Sequence, residues 1–232
     1  MDVLLKCNGL HKVYRRRDTE VPVLNGVSLE VGKGEIVSIM GPSGSGKTTL
    51  LHLLSALDRP SAGEVYFRGQ PLYGRGDAEL AALRRREFGF VFQFFNLLPT
   101  LTALENAALP LLLDGRSLAS TEARGRELLE AVGLASRWAH YPHQLSGGEM
   151  QRVAVARALA MEPAMIFADE PTGNLDRERG TEVLNLLIGQ TRAQGRTLLM
   201  VTHDAKVADA ADRIVKMQDG RVEADPEQVL PD

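Results

Sequence analysis

The sequence predicts an α/β fold: a parallel core sheet with an antiparallel β portion at its N-terminal side and an inserted α-helical segment. Three observations carry this. EIVSIM at 35–40 is almost wholly apolar and runs straight into the glycine-rich GPSGSGKTT at 41–49, as a buried parallel strand does when it feeds a helix. Two similar runs, AMIFA at 164–168 and TLLMVT at 197–202, come much later. Between 93 and 161, apolar residues recur at three- and four-residue spacing in ALENAALPLLL, STEARGRELLEAVGL and GGEMQRVAVARALAM, the period of a helix.

The first third reads as short strands, LLKCNGLHKVY, VLNGVSLEV and EVYFRGQPL. Asn8-Gly9, Asn25-Gly26 and Arg68-Gly69 punctuate them as expected hairpin turns of an antiparallel sheet. A catalytic α/β core is thus expected over 1–92 and 159–232, with a helical subdomain at 93–158, all in one domain. The stretch after Gly220, RVEADPEQVLPD, is short and polar and is expected to fray.

Composition narrows the class. The 232 residues are 44% apolar and 25% charged, ordinary for a globular protein. A formal net charge of -3 gives no general pull toward nucleic acid, whose binders carry a basic surface. The single cysteine, Cys7, excludes an internal disulfide framework and reads as a small core residue in a reducing compartment. The N-terminus has neither a basic start nor a long apolar run, so no secretory signal is expected. No stretch approaches the ~20 apolar residues that cross a bilayer. A cytoplasmic chain is expected, with any membrane role reached through a partner. The runs Arg84-Arg85-Arg86 and Arg15-Arg16-Arg17 read as solvated charge.

The chemistry gathers at strand ends. Residues 41–48 match G-x-x-x-x-G-K-[ST] in full. Across Gly41, Pro42, Ser43, Gly44, Ser45, Gly46 and Thr49, the glycines let the backbone curl so that N–H groups converge on phosphates. Lys47 adds a point charge near the β- and γ-phosphates, and Thr48 offers an oxygen to Mg²⁺. AMIFADEP ends an apolar strand in two acids. Asp169 suits the Mg²⁺ shell, and Glu170, on the other side of the strand end, suits polarising a water for in-line attack. Adjacent acids with no ligand repel, so the pair implies a cation; a solvated turn is the bland alternative. His203 follows a third core strand, where it can bridge the γ-phosphate, the attacking water and Glu170, or serve only structure. Gln93 closes the apolar FGFVFQ and offers an amide that binds Mg²⁺ or water weakly.

A second helix start stands at LSGGEMQR, 145–152. Ser146-x-x-Glu149 is a capping box, and that alone explains Ser146 and Glu149. It does not explain Gly147 and Gly148, which weaken a helix by roughly 1 kcal/mol each. A phosphate approaching the backbone closely does.

In this order the phosphate loop, Gln93, LSGGEMQR, AMIFADEP, GNLD at 173–176 and His203 resemble the nucleotide-binding subunit of an ABC transporter, across almost the whole chain. The resemblance implies a P-loop NTPase (RecA-like) core, ATP and Mg²⁺ as cofactors, and ATP hydrolysis. It further implies a homodimer formed on ATP binding, in which the LSGGE helix of one copy caps the ATP held by the other. Tyr14 matches the aromatic that stacks on adenine, with an ordinary strand tyrosine as the alternative. Asp176 lies in the loop that meets the opposite copy, and also suits a helix N-cap.

FGFVFQFFNLLPTLTALENAALPL and FADEPTGNLD are similar to the bacterial subfamily of lipoprotein-releasing and macrolide-exporting ATPases. That likeness implies an integral permease bearing a periplasmic domain, moved mechanically, and a peripheral place on the cytoplasmic face of the inner membrane. The chain stops where fused exporters continue, so a separate subunit is expected, without a regulatory C-terminal domain. The permease contact is expected around Phe94, Phe95, Leu97 and Leu98; the alternative is that these residues form the insertion's own small core. One rival is a soluble ABC-type ATPase acting on DNA or another macromolecular complex. Another is an ordinary P-loop kinase, which leaves LSGGEMQR and GNLD unexplained.

Overall fold

The computed structural model describes residues 2–16 and 19–223. In chain order its first half holds β1 (Val3–Arg16), β2 (Thr19–Gly32), β3 (Ile36–Met40), α1 (Lys47–Leu54), β4 (Ala62–Phe67), β5 (Gln70–Pro71), α2 (Asp77–Glu87) and β6 (Phe88–Val91). The second half holds α3 (Ala103–Leu113), α4 (Leu118–Ala131), α5 (Gly147–Leu159), β7 (Met165–Asp169), α6 (Arg177–Ala193), β8 (Thr197–Thr202), α7 (Ala205–Ala208), β9 (Arg213–Gln218) and β10 (Arg221–Val222). Two compact units divide the chain, one of Met1–Leu80 with Leu199–Asp232, the other of Ala81–Leu198.

In the first unit an antiparallel sheet runs in the order β2-β1-β4-β5. Two of the three expected turns prove to be something else. Asn8-Gly9 and Asn25-Gly26 lie inside the long strands β1 and β2, where the pairing shifts between Cys7/Leu10 and between Leu10/His11. Each glycine has a positive φ, 54° at Gly9 and 79° at Gly26, so each dipeptide is a bulge that adds one residue to one strand. The pleat face is thereby reset: Leu5, Cys7, Leu10, Leu24, Val27 and Val31 are all buried. Asn-Gly satisfies a bulge and a hairpin equally well, which is why sequence alone misassigned them. Arg68-Gly69 is the expected hairpin, with φ of 50° and 72° joining β4 to β5.

The same unit carries β3, wholly buried from Ile36 to Ile39 and paired in parallel with β9 from Val37↔Arg213 to Met40↔Lys216. The Asp212 carboxylate accepts from the Ile36 amide at 2.9 Å, and Arg213 donates to Glu35 at 2.7 Å. Residues after Gly220 do not simply fray: Arg221 and Val222 pair with Gln218 and Met217 as β10. The remainder of that stretch, 224–232, lies outside the described residues, as do Arg17 and the Arg16 side chain.

In the second unit β6 and β7 pair in parallel from Phe88↔Met165 to Val91↔Ala168. The Phe88 ring meets Phe167 edge-on at 5.1 Å. Helices α3, α4 and α5 pack on one another here, bringing together Ala107, Leu111, Leu129, Val153 and Ala156, all buried. A helix over 77–87 and another over 177–193 were not foreseen; both carry many charges, which blurs their period. The arginine run on α2 is not simply solvated: Arg85 and Arg86 both donate to Asp114 at 2.8 Å. They hold its carboxyl below the usual carboxylate range, Arg86 most strongly. Arg15 does face solvent, in a surface pair with Glu20 at 3.0 Å. No helix among the described residues is long and apolar enough to cross a membrane.

Candidate functional site

The phosphate loop in the first unit begins where β3 ends. Gly41 is obligatory for a packing reason: a Cβ there would lie 2.1 Å from the Met217 carbonyl oxygen on β9. Gly46 takes φ 99°, and a Cβ on it would come within 3.0 Å of Leu24, Met217 and Val23. Gly44 has φ 81° and open space around it. The turn after β9 braces the loop from behind, Gly220 N–H donating to the Ser45 carbonyl at 3.1 Å. Ser45 is buried, whereas Pro42, Ser43 and Gly44 are exposed.

Gly46 caps α1 without a side-chain hydrogen bond; a helix start of this kind presents backbone N–H groups that suit an anion. Lys47 is buried, and its ammonium donates to the carbonyls of Gly41 at 2.8 Å and Pro42 at 3.0 Å. Those bonds use two of its three hydrogens and pin the cation to the loop. Thr48 is exposed and Thr49 half-buried in the same turn. His203 lies exposed just past β8, and Asp204 beside it caps α7.

Tyr14 sits near the end of β1 with its ring 40% exposed. Its hydroxyl donates to Asp58 at 2.9 Å, and the Lys12 ammonium lies 4.7 Å from the ring centroid. Burial and the Asp58 carboxylate push the Tyr14 hydroxyl up from its ordinary value, against an opposing hydrogen bond with Thr49. Lys12 also donates to Asp58 at 2.8 Å and to the Arg59 carbonyl at 2.7 Å. Neither Lys12 nor Asp58 was singled out from sequence; a buried lysine on an interior strand carries no motif.

The second unit holds the remaining candidates. Asp169 ends β7 half-buried, and Glu170 follows with φ 45°. A left-handed backbone at a non-glycine residue is strained by roughly 1–3 kcal/mol and gathers at functional sites. Gln93 follows β6, and its amide approaches Asn174 at 3.5 Å while Asn174 donates to the Gln93 carbonyl at 2.8 Å. A Cβ at Gly173 would meet that amide at 3.0 Å, so GNLD and Gln93 form one cluster. Asp176 caps α6, accepting from the Arg179 amide at 3.0 Å.

The capping box is real: Ser146 accepts from the Glu149 amide, and Glu149 accepts from the Ser146 amide at 2.8 Å. The Ser146 amide, with help from Arg137 at 3.1 Å, holds the Glu149 carboxyl below its ordinary range despite burial. Gly147 and Gly148 open α5 without a positive φ. A Cβ at Gly148 would meet only Arg179 at 3.6 Å, and one at Gly147 would meet Leu175 at 3.3 Å. Packing inside the chain does not require glycine at 148.

Among the described residues no group of three or more His, Cys, Asp or Glu converges as a protein-built metal site would. The Thr48 hydroxyl and the Asp169 carboxylate are hard oxygen donors of the kind Mg²⁺ takes beside water and substrate phosphates.

A strand–glycine loop–helix unit together with an LSGGE helix start defines a nucleotide-hydrolysing cassette. The chain belongs to the ABC transporter family, whose model matches residues 24–173. It is an ATPase of that family, using ATP with Mg²⁺. An uncharacterized ABC transporter ATP-binding protein of Thermotoga maritima is 51% identical over 96% of this chain and 95% of its own length. The lipoprotein-releasing system ATP-binding protein LolD of Chromohalobacter salexigens is 47% identical over 97% of this chain and 94% of its own. Among solved structures, the dimeric cassette MJ0796 in a post-hydrolysis state bound to ADP and Pi superposes with a TM-score of 0.88. It is 44% identical, covering 95% of this chain and 97% of that one. The cbiO1 subunit from Clostridium perfringens, part of the complex cbiONQ, gives 0.84 at 28% identity, covering 97% and 88%.

Proposed function

We propose that this chain is the ATPase subunit of a bacterial inner-membrane complex of the lipoprotein-releasing kind, working as a head-to-tail homodimer on the cytoplasmic face. The likeness to LolD over nearly the full length supports the cargo class, and the dimeric MJ0796 cassette supports pairing. The observation that carries the reading is the start of α5, where the exposed Ser146 caps the LSGGE helix, a helix start that suits a phosphate brought by a second copy.

The roles follow chemically. Tyr14 stacks on adenine while residues 41–49 wrap the phosphates, with Lys47 countering the charge that develops on the γ-phosphate. Thr48, Gln93 and Asp169 would hold the Mg²⁺, which would neutralise phosphate charge when bound. Glu170 orients the attacking water and takes up its proton, an effect of ~10²–10⁴-fold, and His203 holds the γ-phosphate and that water in line. Ser146, Gly147, Gly148, Glu149 and Asp176 face the partner copy's nucleotide. The helical subdomain at 93–158 offers the permease a surface around Phe94 and Leu98, which are 71% and 45% exposed.

Glu170→Gln tests this on a sizing column. It is expected to bind ATP, not hydrolyse it, and run as an ATP-dependent dimer. A monomer with ATP, both alone and with the permease supplied, contradicts the reading.

A further inference from the structure

Gln151 of α5 has no part in the roles above, yet it is fully buried. Its side-chain NH₂ donates to the Pro171 carbonyl at 2.6 Å and to the Phe92 carbonyl at 3.3 Å. Both neighbours are acceptors, so the amide orientation is fixed by chemistry. Each carbonyl lies one residue from a site candidate: Phe92 precedes Gln93, and Pro171 follows Glu170. The Gln151 Oε1 is buried with no hydrogen-bond partner among the described residues. A buried acceptor left unmatched weakens folding, so this amide is a poor choice for stability and a good one for holding two carbonyls.

The same helix grips the next turn as well. Phe95 and Asn96 take φ of 62° and 49°, and the Arg157 guanidinium donates to both of their carbonyls, 2.7 Å to Phe95. Burial lowers that guanidinium to about 10. Helix α5 therefore holds the backbone just before Gln93, the strained turn after it and the carbonyl that follows the strained Glu170, all from one element.

We propose that Gln151 is a positioning residue for hydrolysis: by tying the Phe92 and Pro171 carbonyls to α5 it fixes where Gln93 and Glu170 stand. This rests on the reading of Glu170 as the residue that orients water. The amide NH₂ is taken up by the two carbonyls, so its loss is expected to leave ATP binding alone and to misplace the carboxylate. Misplacement of a reacting group by about 1 Å is worth on the order of 10²-fold in rate.

The test uses Gln151→Met and Gln151→Glu in the full chain, beside Glu170→Gln. Gln151→Met is expected to keep its ATP Kd within about 2-fold and lose roughly 10–100-fold in kcat. Gln151→Glu sets a carboxylate against two carbonyl oxygens. Its kcat relative to the unmodified protein is expected to rise as pH falls from 9 to 6, since the protonated acid regains a donor. A Gln151→Met kcat within 2-fold of normal, or a flat relative pH profile, overturns the proposal, as does failure of both variants to fold. Residual turnover by Glu170→Gln would instead overturn the underlying reading, whatever Gln151 does.

Discussion

The Tyr14 hydroxyl donates to the Asp58 carboxylate at 2.9 Å, across 44 positions of sequence. Lys12 donates to the same carboxylate and lies over the ring. One face of the ring is thus backed by a cation and its edge is tethered, which leaves a rigid platform for a flat ligand. Stacking of a base on an aromatic is worth ~1–3 kcal/mol. Tyr14→Leu is expected to raise the ATP Kd about tenfold, with kcat at saturating ATP within about twofold. Titration calorimetry with ATP checks it; an unchanged Kd removes Tyr14 from the site.

Two glycines differ in what an added methyl would meet. Gly41→Ala places a methyl 2.1 Å from the Met217 carbonyl, an overlap that forces the loop or β9 to move and costs about 1–3 kcal/mol. Lower thermal stability and loss of ATP binding are both expected. Gly148→Ala meets only ordinary contact and gains about 1 kcal/mol of helix propensity. Its melting temperature is expected to hold or rise, and a clear fall would mean that α5 needs glycine there for packing.

The Glu149 carboxyl is depressed in the folded chain by the Ser146 amide, with Arg137 assisting. A carboxyl depressed on folding contributes stability above its unfolded pKa, and loses it as pH falls through the folded value. Glu149→Gln should therefore be less stable than the unmodified protein in urea near neutral pH. That gap should close as pH falls below the ordinary carboxylate range. A gap independent of pH would mean that the charge contributes nothing.

Cys7 is fully buried, and burial pushes its thiol up to about 12. The thiolate is the reactive form, so at pH 8 the folded protein should resist a thiol reagent that labels it promptly in urea. Fast labelling of the native chain would place Cys7 at the surface.

Much of the candidate site was legible because phosphate chemistry leaves contiguous motifs. EIVSIM followed by GPSGSGKTT and AMIFA followed by Asp169-Glu170 fix strand ends whatever surrounds them. What stayed hidden depends on partners far apart in sequence. Lys12 and Asp58 meet 46 positions apart, and Gln151 reaches Phe92 across 59, with no local pattern to announce either. Asn8-Gly9 and Asn25-Gly26 misled because the same dipeptide that turns a chain also bulges a strand. Gln151 did leave one signal: an amide in phase with the buried Gly148, Ala154 and Val155 of α5.

The central claim is that one copy supplies the phosphate loop and the other the LSGGE helix for each hydrolysis event. Lys47→Ala and Ser146→Arg disable opposite halves. Mixed together, they leave one composite site with both halves intact, so ATP turnover is expected to exceed the sum of the two proteins measured apart. Turnover no greater than that sum would contradict the claim.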